Sequence, residues 1–217
     1  AGASVQQGSG STFDNHDGTL IVRGSFTGGF VTNSSEIQIL NGATMEVASL
    51  TQTQGLLVVN GTLTSTSGII FLQGGRLEGT GIINGTSFWT GTAGAPQAKP
   101  FCFLIGYACL RPGNSPGHLE VHGDLNFGEA SVLELEIGRN ALGELVWDTV
   151  TADNITFGQG SVIEVVLGAG VGDLDGRSLQ FLTCRQACTF GDATVSVLGG
   201  DGKLEWEQGA LLFSAAP

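Results

Sequence analysis

The stretch DLNFGEASVLELEIG, Asp124 to Gly138, returns 30 residues later as NITFGQGSVIEVVLG, Asn154 to Gly168. Phe127 aligns with Phe157, Gly128 with Gly158, Ser131 with Ser161, Val132 with Val162 and Glu134 with Glu164. Leu133, Leu135 and Ile137 align with Ile163, Val165 and Leu167. Side chains alternate across a strand, so these last six point inward while Glu134 and Glu136 point out. A unit with one buried face completes its core by stacking on a copy of itself. Stacked as successive coils, the two phenylalanines form an interior aromatic ladder.

The earlier chain has the same texture. TLIVRGSF, SEIQILNGATMEVASL, GLLVVNGTLTS and GIIFLQGGRLEGTGIINGT are short runs of Val, Ile, Thr and Leu separated by glycine turns. That is strand chemistry, and no segment shows a helical period with caps. Asn-Gly falls at Asn41, Asn60 and Asn84. Hairpin turns also use Asn-Gly, but a recurrence near ~20 residues suits one coil of a solenoid. With 36 glycines the chain could be disordered, yet mean hydropathy is +0.21 and 41% of residues are hydrophobic. A disordered chain is poorer in apolar residues, so this one folds and needs many tight turns.

Thr86 to Gly117 breaks the rhythm. Four of the five prolines lie there: Pro96, Pro100, Pro112 and Pro116. Proline removes ladder donors, so an interior strand is not expected. The segment reads as an excursion at about 86–117, stapled by Cys102 and Cys109. Its apolar core of Phe101, Phe103, Leu104, Ile105 and Tyr107 either folds back on the body or meets a partner. Cys184 and Cys188 close a second, smaller loop in TCRQAC. Neither pair is C-x-x-C and no histidine is near in sequence, so zinc is disfavoured. Two local disulfides in an oxidising compartment are expected, with free buried thiols as the alternative. The start AGASVQQ reads as a mature N-terminus after signal cleavage. FCFLIGYACL is too short to span a bilayer.

Only 8 basic residues face 20 acidic ones, a formal net charge of -12. Nucleic acid and anionic membrane surfaces both need clustered Lys or Arg, so neither is an expected partner. An acidic surface fits a secreted protein that stays soluble.

The run PGNSPGHLEVHGDLNFGEASVLELEIG resembles a bacterial surface pattern: a PGNSPG turn, a strand–Gly–strand of the type TLTVxGD, then an acidic-apolar strand. WDTVTADNITFGQGSVIEVVL matches the same pattern, with an Asp-x-Val element before the next strand. GKLEWEQGALLFSAAP resembles the closing strands of such proteins. From Arg111 to Pro217 the chain is therefore similar to autotransporter passenger domains and to extracellular proteins carrying a Pro-Glu-Pro (PEP-CTERM) sorting signal. The sorting signal itself is not in this sequence. The resemblance implies a right-handed parallel β-helix at the bacterial cell surface or in the extracellular matrix, where many such proteins are adhesins or structural components.

Several residues invite chemistry. His118 and His122 in HLEVH mimic a zinc-protease pattern, but that pattern needs a helix. On a strand, residues four apart are separated by about 13 Å, at ~3.3 Å per residue, and cannot share a metal unaided. Asp14, His16 and Asp17 in FDNHDG read as a polar turn, and Asp173 and Asp175 in VGDLDGRS as a β-turn too short for an EF-hand. Glu134 and Glu164 become neighbours if the repeat stacks, and polysaccharide-cleaving β-helices use such surface carboxylates. The eight basic residues are scattered, so an anionic sugar is repelled. No P-loop, nucleophile elbow or dinucleotide fingerprint is present.

The expectation is thus an all-β chain, a right-handed parallel β-helix (β-solenoid) with a disulfide-stapled loop excursion. An extended segment at 1–11 precedes a single solenoid domain at 12–217. The expected function is non-catalytic, structural or adhesive and extracellular, without cofactor or metal. Open β edges at both ends predict head-to-tail contacts with further copies, as in a biofilm fibre. The alternative is a binding module for neutral glycans or a host surface, using Trp89, Trp147 or Trp206 against core packing of those rings. A polysaccharide lyase or hydrolase is the third reading.

Overall fold

β-Branched residues, apolar alternation and glycine turns give 21 strands in a computed structural model, with no helix among the described residues. The structure describes residues 4–8, 10–90, 107–113, 116–171, 174, 177–191, 193–198, 202–207 and 210–215, with backbone alone at 4, 86–90, 202–207 and 210–215. The strands begin with β1 (Ser4–Gln6), β2 (Thr12–Asn15), β3 (Thr19–Val22), β4 (Ser25–Asn33), β5 (Glu36–Ile39), β6 (Thr44–Gln52) and β7 (Leu56–Val59). Then come β8 (Thr62–Leu72), β9 (Gly75–Gly79), β10 (Ile82–Thr90), β11 (Ala108–Pro112), β12 (His118–Phe127), β13 (Ser131–Arg139) and β14 (Leu145–Trp147). The last are β15 (Thr149–Phe157), β16 (Val162–Leu167), β17 (Ser178–Leu179), β18 (Leu182–Thr189), β19 (Thr194–Leu198), β20 (Gly202–Glu207) and β21 (Ala210–Ala215).

The chain alternates between two long sheets as it climbs. The first sheet runs β1-β4-β6-β8-β10-β12-β15-β18, with β2 also on β4. The second runs β3-β5-β7-β9-β11-β13-β16-β19, with β14 antiparallel on the side of β13. Every other pair in these two sheets is parallel, so the protein is an all-β parallel β-solenoid. The thirty-residue repeat pairs as expected: Leu133 lies opposite Ile163, Glu134 opposite Glu164 and Leu135 opposite Val165. Ser131 and Ser161 each return a hydroxyl to the carbonyl of Gly128 or Gly158 three residues back, which explains the shared G-x-x-S.

The long strands of the first sheet turn a corner. Pairing slips at Val47/Ser49, Asn84/Ser87, Glu120/Asp124 and Ala152/Asn154. The inward set changes phase there: Leu63 and Ser65 face in before the bulge, Ile70 and Leu72 after it. A bulge inserts the extra residue that bends a strand without losing its buried face.

Columns of residues in register from coil to coil fill the solenoid. Leu20, Ile37, Leu57, Leu77, Leu110, Leu133, Ile163 and Val195 form one of them on the second sheet. Phe13, Val31, Leu50, Ile70, Phe88, Leu125, Ile155 and Cys188 share another on the first. A third begins in amides and ends in rings: Asn15, Asn33, Gln52, Leu72, Thr90, Phe127 and Phe157. Phe127 and Phe157 stack with centroids 4.5 Å apart and planes 6° from parallel, and Phe190 stacks beyond at 5.8 Å. The expected aromatic ladder is present and extends one coil further.

Two expectations change. The stretch 86–117 was expected to hold no interior strand, yet β11 lies within the second sheet between β9 and β13. Pro112 is tolerated because it ends that strand, and the next residue supplies the donor: Gly113 N–H bonds Gly79 O at 2.8 Å. β10 likewise runs into that stretch, as far as Thr90. Secondly, the closing segment does not add a parallel coil. β20 and β21 form an antiparallel hairpin, and β21 also pairs with β17.

Candidate functional site

The outer face of the second sheet gathers the richest set of charges. One column carries Glu78 on β9, Arg111 on β11, Glu134 on β13 and Glu164 on β16, placed by the register of successive coils. Arg111 bridges two carboxylates of the next coil, with Nε 3.1 Å from Glu134 Oε1 and Nη2 3.1 Å from Glu136 Oε2. Arg76 pairs with Glu78 at 2.9 Å. Burial works against the Arg111 charge, but Glu134, with Glu136 and Glu78, outweighs it and holds the guanidinium above its ordinary value.

Glu134 and Glu164 do face outward from the solenoid core, but they are not solvent-facing. Glu134 is 5% exposed and Glu164 2%. Burial pushes both carboxyls upward, with Arg111 opposing the rise at Glu134 and the neighbouring Glu134 adding to it at Glu164. Glu164 Oε1 has no hydrogen-bond partner. The column therefore runs minus, plus, minus, minus, and the last charge is uncompensated. A carboxyl in that position is stabilised as the neutral acid.

Asp148 joins the PGNSPG turn to the WDTV element. It is fully buried between β14 and β15. Oδ1 accepts the N–H of Gly117, the last residue of PGNSPG, at 2.7 Å, and Oδ2 accepts Glu136 N–H at 2.9 Å. Burial raises its pKa to about 6 despite those two bonds. The Asp of the Asp-x-Val element is thus a clamp between consecutive coils.

The corner of the first sheet forms an open groove of about 370 Å³ lined by Ser65, Thr66, Ser67, Asn84, His122 and Asp153, among others. Beside it Glu120 accepts from His122 Nε2 at 2.9 Å and pairs with Arg185, which also reaches Asp153 at 3.0 Å and Val121 O at 3.0 Å. The bond from His122 holds the Glu120 carboxyl below its ordinary value, with Arg185 assisting. His118 and His122 both lie on β12, and His118 turns to Thr149 Oγ1 at 2.9 Å instead. His16 faces Ser34 Oγ at 3.1 Å across the first turn. No trio of His, Cys, Asp or Glu side chains is arranged to hold a metal among the described residues.

Cys184 and Cys188 are disulfide-bonded, with Cα atoms 5.6 Å apart. Both occupy interior columns, opposite Ala152 and Ile155, on either side of the corner bulge in β18. Cys109 is disulfide-bonded and fully buried in β11; Cys102 lies outside the described residues. So do Phe101, Phe103, Leu104, Ile105, Asp173 and Asp175, and the side chains of Trp89 and Trp206. The Trp89 backbone sits in β10 between Phe71 and Asn126 on an outward column, and Trp206 lies in β20. Tyr107 is buried. Trp147 is half-buried against the core and donates Nε1–H to Gln180 O at 3.0 Å.

The sequence reading missed the amide column. Asn15 Nδ2 donates to Asn33 Oδ1 at 2.7 Å, Asn33 Nδ2 to Gln52 Oε1 at 2.6 Å, and Gln52 Nε2 to Gln54 O at 2.5 Å. Asn33 and Gln52 are fully buried. The signal was legible: Phe13-Asp14-Asn15, Val31-Thr32-Asn33 and Leu50-Thr51-Gln52 repeat apolar–polar–amide at spacings of 18 and 19.

A scan against protein-family models gives no match, and a search of curated proteins gives none either.

Proposed function

We propose that the chain is a non-catalytic structural or adhesive β-solenoid of the bacterial cell surface or extracellular matrix. The observation that carries this reading is where its charged side chains are tied. Asp148 clamps two backbone amides of other coils, Arg111 ties adjacent coils through Glu134 and Glu136, and Arg185 ties β18 to Glu120 and Asp153. Charges used this way hold an architecture, whereas a catalytic set converges on open space.

Head-to-tail contact is part of the proposal. The described sheets end on strands paired along one edge only, β1, β2 and β3 at one end and β18 and β19 at the other, where β20 lies close to β19. Val5 is 52% exposed, while Phe26, next in its column, is 3%. If copies stack, Leu20 meets Val195 and Phe13 meets Cys188, apolar on apolar, while Asn15 meets Phe190. Purified protein is expected to form concentration-dependent rods by light scattering and negative-stain microscopy, and Val5→Lys to suppress them. A monodisperse monomer at high concentration refutes the assembly.

The corner groove favours a second reading, a module for neutral glycans, because hydroxyl and amide side chains line it. Binding on a neutral oligosaccharide array, lost in Ser67→Trp, supports it; an array without hits retires it.

A further inference from the structure

We propose that Asn41 is a site of spontaneous deamidation, and that the fold protects Asn60 and Asn84, which carry the same Asn-Gly pair. In this reaction the Gly42 backbone nitrogen gives its proton to solvent base and attacks Asn41 Cγ. The N–Cγ bond forms, the Cγ–Nδ2 bond breaks, and ammonia leaves with a proton from water. Water then opens the cyclic imide at either carbonyl, leaving aspartate or isoaspartate. The step needs no redox partner. It does need a free glycine N–H, a mobile amide side chain and room for the backbone to close a five-membered ring.

Asn41 meets all three needs. It is exposed in the turn between β5 and β6, where Ala43 N–H bonds Leu40 O at 2.9 Å and Gly42 takes φ 75°. That turn leaves Gly42 N–H without a backbone acceptor and Asn41 without a side-chain partner. Nothing lies within 4 Å of where a Gly42 side chain would begin.

The other two pairs fail. Gly61 N–H is committed to Ile39 O at 3.0 Å, and Asn60 Oδ1 accepts Thr80 N–H at 3.2 Å. The carbonyls of Leu40 and Ala43 enclose Gly61 so closely that a Cβ there would collide with both. Asn84 lies in the ladder between Thr64 and His122, and its Nδ2 is bonded to Thr64 Oγ1 at 3.1 Å. Conversion at Asn41 adds a negative charge to a chain already at -12, at an exposed turn outside the columns.

A Glu-specific protease separates the three pairs, since Ile37–Glu46 carries Asn41, Val47–Glu78 carries Asn60 and Gly79–Glu120 carries Asn84. The native protein is held at mildly alkaline pH and warm temperature, digested, and read by mass spectrometry for replacement of amide by acid. Asn41 is expected to convert at least tenfold faster than the other two. In denaturant all three are expected to convert at comparable rates, and Asn41→Gln abolishes the native signal in its peptide. An unchanged Asn41, or Asn60 or Asn84 keeping pace with it in the native protein, overturns the proposal. Continued selectivity in denaturant overturns the claim that the fold provides the protection.

Discussion

Asp148 sets two physical effects against each other, and pH tells which wins. Two backbone N–H bonds favour its charged form, and burial opposes it. Burial prevails, raising the pKa from 3.8 to about 6. The folded state thus holds its proton to higher pH than the unfolded chain does. Its contribution is fully present below the unfolded pKa and is lost as pH rises from about 4 through about 6. At ~1.4 kcal/mol per pKa unit that loss is about 3 kcal/mol by pH 7. Asp148→Ala removes the titration, although it orphans the Gly117 and Glu136 amides at about 1–3 kcal/mol each. Urea denaturation at a series of pH values, followed by tryptophan fluorescence, gives stability for both proteins. The stability advantage of the native sequence over Asp148→Ala should shrink by about 3 kcal/mol between pH 4 and pH 7. Glu134 and Glu164 titrate in both proteins and cancel to first order. A constant difference refutes the reasoning. A difference that grows with pH shows that the two amide bonds dominate and that the native pKa is depressed.

Three further perturbations are informative. Glu164→Gln keeps the shape and discards the uncompensated charge, so it should raise stability by about 1–2 kcal/mol at pH 8 and by nothing in acid, read as denaturation midpoints. Asn33→Leu leaves Asn15 and Gln52 each missing a buried partner and should cost about 2–4 kcal/mol; a neutral result would mean that the amide column contributes little. The double change Cys184→Ala, Cys188→Ala should cost about 2 kcal/mol from loop-closure entropy, with faster hydrogen exchange confined to β18 and its neighbours.

The architecture was legible because a parallel solenoid writes itself into sequence as a period. Phe127 and Phe157, and the triplets from Leu133 and Ile163, fixed strand type, inward face and register together. One face of each strand must be buried, so slipping by one residue would expose it. Local alternation also showed that Glu134 and Glu164 leave the core face. It could not show that they are nevertheless dry, because burial on an outer face depends on what folds over it. Composition likewise misjudged β11: proline content marked an excursion, while the ladder tolerated Pro112 at a strand end.

The division between sequence and tertiary structure follows from what each interaction spans. Contacts between neighbours on a strand, and between coils of equal length, follow from spacing along the chain. Asp148 depends on something else. It reaches 31 residues back to Gly117 and 12 back to Glu136, across coils interrupted by turns of unequal length. The amide column, the Arg111 bridges and the disulfide across the corner of β18 likewise exist only once the coils have stacked. The sequence alone determined that this chain winds into β coils. Stacking decided which polar groups became buried clamps, because only the neighbouring coil removes water and supplies their partners.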